Sequence, residues 1–324
     1  MPCFTDTIQA ARVLSVGDDL VVDAARASFG HDHTQYSTRQ NIGLINYLAR
    51  HSHWTPFSHN RFTFRLWEAV FDVLSLSQEE MAGLVIKRDH THPYRFYARH
   101  SFHGWAKILK NEAICPKIRQ QIQATLQREM PASSAAYFTE PSTAEPLELQ
   151  DIRDAYFIDV TLMYYVPVFV ARQEFKHMVG FTRNERSGRY VSSGTELYAP
   201  NTWRRKPDAR IKQGSGDDVG PVRNEITSRL YKEYMGSVLG AYEGFLNSGI
   251  APEMARMALP QSMMTSYVVT GHLAAYNRFF MERVDPTAQK EIRVDLVEAV
   301  STALRRTVGP EVMQEFVPYA PIRD

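Results

Sequence analysis

Polar and charged side chains are concentrated in one segment, Val166 to Tyr190, with the sequence VPVFVARQEFKHMVGFTRNERSGRY. Pro167 can begin a helix there, because a first turn tolerates its fixed φ angle and its missing N–H. Gln173, Lys176 and His177 follow at helical spacing. Several polar groups can therefore share one face of this helix.

A second set of polar residues follows Met178, where the helical pattern ends and we expect a loop. The set is Asn184, Glu185, Arg186, Ser187, Gly188 and Arg189. A hydroxyl, a flexible glycine and two guanidiniums are groups that hold a phosphate monoester, and Glu185 could accept hydrogen bonds from sugar or base. The alternative is a basic, solvated loop after a surface helix, because short motifs give many false positives.

The composition limits the classes of protein to consider. At 324 residues and 44% hydrophobic content, the chain can bury one large core or two modest ones. Its net charge of +1 gives no whole-protein reason to expect nucleic acid or an anionic membrane as partner. Cys3 and Cys115 are the only cysteines, which excludes a disulfide framework and a cysteine zinc site. With no signal-peptide pattern and no long apolar run, we expect a soluble, cytoplasmic protein.

Two segments alternate between apolar and polar residues, as half-buried strands do: 61–67 (RFTFRLW) and 157–165 (FIDVTLMYY). We interpret the residues between them, 68–156, as a mostly helical insertion into the strand region. Its predicted elements are helices over 68–86, 94–109 and 116–130 and a Ser-, Pro- and Ala-rich linker over 132–148. We expect the insertion to pack on the core or at a subunit contact and to carry no chemistry.

Histidines raise the question of a metal site. The insertion holds four, His90, His92, His100 and His103. Their spacing matches no zinc or iron pattern, so we interpret them as surface residues and keep a metal site as the alternative. His51 and His53, in HSHWTPFSH (51–59), are two ligands without a third and indicate no metal.

The C-terminal part of the chain is predicted to contain a long helix, a second helix with polar residues on one face, and a last helix after Asp285-Pro286. The first begins at Pro221, and we expect its apolar stripe to face the core. The stripe consists of Ile226, Leu230, Tyr234, Val238, Tyr242 and Phe245. In the second helix, His272, Tyr276 and Arg283 recur at helical spacing, so one face could line a site.

The segment ARQEFKHMVGFTRNERSGRY (171–190) resembles the signature of the flavin-dependent thymidylate synthases (ThyX), an Arg-His-Arg triplet, seven residues and a serine. Lys176 and Met178 replace the two arginines, and eight residues rather than seven separate the triplet from Ser187. Four further segments resemble the family in family order: AARASF (24–29), HSHWTPFSH (51–59), APEMARMALPQSMMTSYVVTG (251–271) and FFMERVDPTAQKEIR (279–293). The resemblance implies one ThyX-like catalytic domain, interrupted by the insertion.

The resemblance also implies roles for individual residues. Arg283 aligns with the catalytic arginine that meets the uracil edge. The residues implied in substrate binding are Gln173, Lys176, Glu185, Arg186, Ser187, Gly188, Arg189, Arg256 and Arg283. Those implied in FAD binding are Ser28, His53, Thr55, Lys176, His177, Met178, Glu185, His272 and Arg278. His272, Ala274 and Arg278 depart from the family's usual flavin contacts.

The fold implied by the resemblance is α+β, with a central mixed or antiparallel sheet flanked by helices, assembled as a homotetramer with shared sites. The implied reaction converts dUMP and methylenetetrahydrofolate to dTMP and tetrahydrofolate, with NADPH reducing FAD. Neither cysteine lies among the motif residues, so a route without an enzyme nucleophile is expected. Two alternatives remain: a flavin-dependent C-methylase of another pyrimidine nucleotide such as UMP, and a nucleotide-binding regulator without turnover.

Overall fold

The computed structural model describes residues 3–27, 31–70, 83–186, 196–208 and 214–321. Within these ranges the strands are β1 Cys3–Thr5, β2 Gln9–Arg12, β3 Arg61–Trp67, β4 Val85–Arg88, β5 Arg95–Ser101, β6 Asp159–Pro167, β7 Phe181–Glu185, β8 Glu196–Tyr198 and β9 Met264–His272. The helices are α1 Gly17–Arg26, α2 Thr38–Arg50, α3 Phe102–Ile108, α4 Pro116–Glu129, α5 Pro131–Tyr137, α6 Val168–Glu174, α7 Pro221–Asn247, α8 Pro252–Ala255, α9 Leu273–Arg283, α10 Val297–Val308 and α11 Pro310–Phe316.

A four-stranded antiparallel sheet of order β2-β6-β9-β7 forms the centre of the fold. Side chains of β6 alternate between buried and half-buried positions, as the apolar pattern of the sequence predicts. Nearly every residue of β9 is buried. One apolar cluster joins β6 and β9 to α6, α9, α10 and α11. The predicted α+β fold, with an antiparallel central sheet flanked by helices, is therefore confirmed.

The insertion builds a second sheet, which the sequence did not predict. β3 pairs along its whole length with β5, from Arg61 opposite Ser101 to Trp67 opposite Arg95, and β4 pairs with the other edge of β5. The helix predicted over 94–109 is wrong in its first half, which is strand β5, and correct in its second half, α3. The two predicted strands also belong to different sheets, because β6 lies in the central one.

The insertion shares a hydrophobic core with the N-terminal helices. Val22 of α1 and Ile45 of α2 pack in one cluster with Phe64 of β3 and Trp105 of α3. Trp105 is fully buried and donates a hydrogen bond from its ring nitrogen to the Phe62 carbonyl at 2.9 Å. The Asp18 carboxylate, in the first turn of α1, accepts hydrogen bonds from two backbone N–H groups at the start of α5. The insertion is thus part of the core.

The apolar stripe of α7 does not face the core of the chain. Ile226, Leu230, Tyr234 and Phe245 are 45–67% exposed, whereas Tyr242 is buried. The prediction was wrong because helical periodicity identifies an apolar face but not the surface that covers it. Over the described residues, none of the helices combines the length and the apolar character needed to span a bilayer.

Candidate functional site

The end of α6 and the end of α9 meet at two hydrogen bonds between predicted site residues. Arg283, the last residue of α9, donates from Nε to Nε2 of His177 at 2.7 Å. Its Nη2 also donates to the backbone carbonyl of Gln173 at 3.2 Å. The His177 ring packs edge-on against Phe279, with the centroids 5.1 Å apart. The structure therefore brings Arg283 to Gln173 and His177, although Arg283 is more than 100 residues away from both in the sequence.

The charge state of His177 follows from this geometry. A ring nitrogen that accepts a hydrogen bond from a guanidinium must be unprotonated. Burial, followed by the positive charges of Arg283 and Arg183, lowers the pKa of His177 to about 4. Its Nδ1 faces the Glu282 carboxylate at 3.4 Å, which favours the tautomer with the proton on Nδ1. His177 is thus a neutral acceptor at physiological pH and holds the Arg283 guanidinium in a fixed orientation.

A buried ion pair fixes the same segment from the other side. Arg183 of β7 donates to the Glu174 carboxylate at 2.6 and 2.9 Å and to the His177 carbonyl at 2.6 Å. Tyr267 of β9 donates to Glu174 at 3.1 Å. Glu174 is buried, so losing one partner would leave an uncompensated charge. This pair clamps the end of α6 to the central sheet, and sequence analysis did not single out either residue.

The predicted loop after Met178 is in its described part a strand. β7 contains Asn184 and Glu185 and pairs with β9, and Arg186 continues the pairing by donating from its backbone to Ser266 at 2.8 Å. Glu185 accepts a hydrogen bond from Thr265 at 2.9 Å. The Arg186 side chain has a buried Nε without a partner among the described residues. Four predicted binding residues lie outside the described ranges: Ser28, Ser187, Gly188 and Arg189.

A cavity of about 630 Å³ lies between the second sheet and the turn after α6. Met178, Gly180 and His272 line it. His272 caps α9 by accepting from the Ala275 N–H at 3.0 Å, so its proton is on the other ring nitrogen. A Cβ on Gly180 would stand 2.4 Å from that nitrogen, so only glycine allows this approach. Burial, then Arg99 and Arg61, lowers the pKa of His272 to about 4.

Arg278, another predicted flavin contact, does not line the cavity itself but forms a hydrogen bond with a residue of its wall. It donates to the carbonyl of Val179, a lining residue, at 2.6 Å. Three predicted FAD residues, Met178, His272 and Arg278, are therefore brought together at one cavity. His177 lies in the adjoining hydrogen-bonded cluster instead.

The other predicted residues are placed apart from these two clusters. Lys176 is exposed beyond the end of α6, and His53 and Thr55 are exposed after α2. Arg256 is exposed and donates to the Glu253 carbonyl at 3.1 Å. Of the four insertion histidines, His100 is buried in β5, which corrects its interpretation as a surface residue. Over the ranges that the structure describes, the His, Cys, Asp and Glu side chains form no group of three or more suited to a metal ion.

An ion-pair network that sequence analysis missed lies beside the cavity. Arg61 of β3 and Arg99 of β5 both pair with Asp159 of β6, the former at 2.7 Å. Burial raises the pKa of this carboxyl, but the two guanidiniums outweigh it and lower the pKa. Alternation gave no signal of this network, because each of the three residues lies on the less apolar face of its strand. The network joins the second sheet to the central one.

The residues around the cavity fit a flavin nucleotide. The volume lies within the range of about 300–1,000 Å³ that is usual for small-molecule sites. The buried Nε of Arg99 has no partner among the described residues, and Arg99 lines the cavity. Tyr156 and His272 pack with their ring centroids 5.1 Å apart and both line the wall. An unused cationic donor and flat rings are the groups that a phosphorylated aromatic ligand needs.

The chain is similar in sequence to known proteins over most of its length. A profile of the family described as "Thymidylate synthase complementing protein" matches residues 12–73 and 156–308. The flavin-dependent thymidylate synthase of Aquifex aeolicus is 28% identical over 307 residues, which cover 87% of this chain and 92% of that protein. The flavin-dependent thymidylate synthase of Thermus thermophilus is 36% identical over 154 residues, 48% of this chain and 52% of that protein.

Among solved structures, the UMP/dUMP methylase PolB from Streptomyces cacaoi, bound with 5-Br UMP, aligns over 99% of both chains. The TM-score is 0.48 and the sequence identity 19%, and we draw no conclusion from a likeness at this level. The profile match is different, because it covers both sides of the insertion and most of the chain. It includes β3, β6, β7, β9 and α9, which carry the two clusters described above. The chain belongs to the thymidylate synthase complementing protein family.

Proposed function

We propose that the chain is a flavin-dependent thymidylate synthase. It converts dUMP and methylenetetrahydrofolate to dTMP and tetrahydrofolate, with FAD as bound cofactor and NADPH as reductant. Bound flavin supplies the hydride that turns a methylene into a methyl group. Binding, orientation and charge stabilisation are the tasks of the chain's own residues.

One observation carries this proposal: Arg283 is oriented by a neutral His177 inside the family's signature region. A guanidinium fixed at the edge of a uracil stabilises negative charge that develops on the ring, and it does so without reorganising during the reaction. The second hydrogen bond, to the Gln173 carbonyl, fixes the plane of the guanidinium. We assign Arg283 the catalytic role.

The cysteines support a route without an enzyme nucleophile. Cys3 and Cys115 are exposed and belong to neither cluster. A hydrogen bond and the negative charge of Glu196 raise the pKa of the Cys3 thiol, which opposes formation of the nucleophilic thiolate. The pyrimidine itself must therefore be made electron-rich, which is the role given to Arg283.

Binding roles follow the family correspondence. We assign the dUMP phosphate and sugar to Gln173, Ser187, Gly188, Arg189 and Arg256. Glu185, Arg186 and Lys176 flank the nucleotide. FAD is assigned to Met178, His272 and Arg278 at the cavity, together with Ser28, His53, Thr55, Lys176, His177 and Glu185. The exposed positions in both sets suit a site completed by a second subunit.

We also propose a homotetramer, in the cytoplasm. The exposed stripe of α7 supports the assembly, since Ile226, Leu230 and Tyr234 follow one another at intervals of four residues on an uncovered face. Gly240 and Gly244 lie on the same helix, and no atom of the described residues stands within 4 Å of an added Cβ at either position. Contiguous apolar surface of this kind marks a protein contact. The exposed, unpaired cysteines agree with a reducing compartment.

A flavin re-oxidation assay tests the function. The purified protein is loaded with FAD, reduced under anaerobic conditions, and mixed with methylenetetrahydrofolate and dUMP. We expect the flavin absorbance to return and dTMP to form. A parallel reaction with UMP separates the two pyrimidine substrates. Flavin that stays reduced with both nucleotides would contradict the proposal.

A further inference from the structure

The cavity beside β7 has a wall that the family match does not cover. The match omits residues 74–155. Within that gap, Arg99 of β5 and His103 and Lys107 of α3 line the cavity. The opposite wall carries Met178 and His272, which lie inside the matched segments. The insertion therefore adds side chains of its own to this site.

Among the described residues of that wall, positive charge exceeds negative charge. In the part of the chain that the structure describes, Arg61 and Arg99 share one carboxylate, Asp159. Arg61 also donates to the Gly180 carbonyl at 3.3 Å and to Thr182 at 3.2 Å. Arg99 is only 2% exposed, and its Nε has no partner among the described residues.

The surrounding ion pairs leave this excess in place. Lys87 and Asp154 pair with each other at 2.6 Å. Lys107 adds a further positive charge at the cavity mouth, where it is exposed. An unbalanced guanidinium is costly to bury without an anion, because its desolvation is not repaid. The wall is therefore suited to an anionic ligand group.

The cavity also offers flat, uncharged surfaces. Tyr156 stacks at a tilt on His272, and Phe181 lines the same wall. His103 forms a hydrogen bond with the Tyr137 hydroxyl at 2.9 Å. Its ring is neutral, because burial and then the charge of Lys107 lower its pKa to about 4. Flat rings beside cations suit a ligand with both an aromatic ring and phosphates, which is a nucleotide.

We propose that the insertion supplies a phosphate-binding wall for a dinucleotide, with Arg99 and Lys107 contacting the pyrophosphate. Arg99 contributes a fixed guanidinium whose Nε N–H, without a partner among the described residues, can bind a phosphate oxygen. Lys107 contributes a mobile charge at the mouth of the cavity. This rests on the proposed function, which uses two dinucleotides of the same chemistry, FAD and NADPH.

Binding measurements on the full chain test the proposal. Apoprotein is titrated with FAD, followed by quenching of flavin fluorescence, and separately with NADPH, followed by calorimetry. The test variants are Arg99→Gln and Lys107→Glu. The controls are Arg65→Gln, which breaks the Arg65–Asp89 pair of the same sheet, and Lys117→Glu, which reverses an exposed charge on α4. Neither control residue is among those that line the cavity.

We expect Arg99→Gln to weaken dinucleotide binding by about 10- to 150-fold, as for loss of a charge-assisted contact. Lys107→Glu should weaken dinucleotide binding by at least about threefold. Since Lys107 is exposed, its variant should fold even if Arg99→Gln does not. Both controls should leave the affinity unchanged.

The pattern of losses identifies the ligand. Loss confined to FAD assigns the wall to the flavin, and loss confined to NADPH assigns it to the reductant. Unchanged affinity of the Lys107→Glu variant for both, or an equal loss in the controls, would overturn the proposal. If the wild-type protein binds flavin and the variants bind both dinucleotides with wild-type affinity, only this inference is refuted. If the wild-type protein binds neither dinucleotide, the proposed function is refuted as well.

Discussion

Replacing His177 with phenylalanine tests the role of the histidine in positioning Arg283. Phenylalanine keeps a ring of similar size against Phe279, where the centroids of the native pair are 5.1 Å apart. It removes the nitrogen that accepts the 2.7 Å hydrogen bond from Arg283 Nε. The 3.2 Å bond from Arg283 to the Gln173 carbonyl remains. The substitution therefore releases one of two restraints on the guanidinium with little change in packing.

The size of the effect follows from the hydrogen bond that is lost. A hydrogen bond involving a charged group contributes about 1.5–3 kcal/mol. If that energy fixes the guanidinium against the pyrimidine in the transition state, the rate of flavin re-oxidation should fall about 10- to 150-fold. Binding of dUMP should change less, because the lost bond joins two protein groups. Single-turnover flavin re-oxidation at saturating dUMP measures this rate directly.

Two further variants make the result specific. His177→Gln restores an acceptor oxygen and should recover part of the rate. His92→Phe is the matched control, since His92 also packs edge-on against an aromatic ring, Trp67, at 5.3 Å and lies outside both clusters. A His177→Phe protein that turns over at the wild-type rate, with flavin bound, would refute the positioning role.

Four other outcomes are expected. Arg283→Ala should abolish methyl transfer while flavin stays bound, and normal turnover would contradict the catalytic assignment. Acid should destabilise the protein through three buried histidines whose pKa is lowered to about 4, His59, His177 and His272. These histidines protonate near pH 6.5 in the unfolded chain but only near pH 4 in the folded one, so their contribution to the free energy of unfolding is complete above pH 6.5 and falls toward pH 4. The loss at pH 5 is about 2 kcal/mol per histidine. Urea midpoints that do not change between pH 7 and 5 would contradict this. Leu230→Glu, on the exposed stripe of α7, should dissociate the assembly, as measured by light scattering, and an unchanged mass would exclude that face from the contact. Replacing residues 70–155 with a short linker should prevent folding, because β3 would lose its partner β5 and the core would lose Trp105; a cooperative thermal transition in the deletion variant would show otherwise.

The sequence predicted several local elements correctly, because their signals are local. Ser37 and Gln40, three residues apart, form a capping box at the start of α2. Pro116 begins α4, and alternation identified β3 and β6. Such signals act within one turn or one strand, so neighbouring residues suffice to show them. The family resemblance, confirmed by the profile match, likewise depends on the order of short motifs.

Partners distant along the chain were decided only by the tertiary structure. A helix is predicted over residues 95–101, yet they form β5, because β3 offers an edge to pair with and a core to cover. Arg99 faces Asp159, and Arg283 faces His177, across sequence separations that no spacing rule spans. The sequence alone determined which residues are polar, apolar or suited to turns. Only the packed chain decided which charges are buried together, because burial and pairing depend on distances between elements that the sequence does not contain.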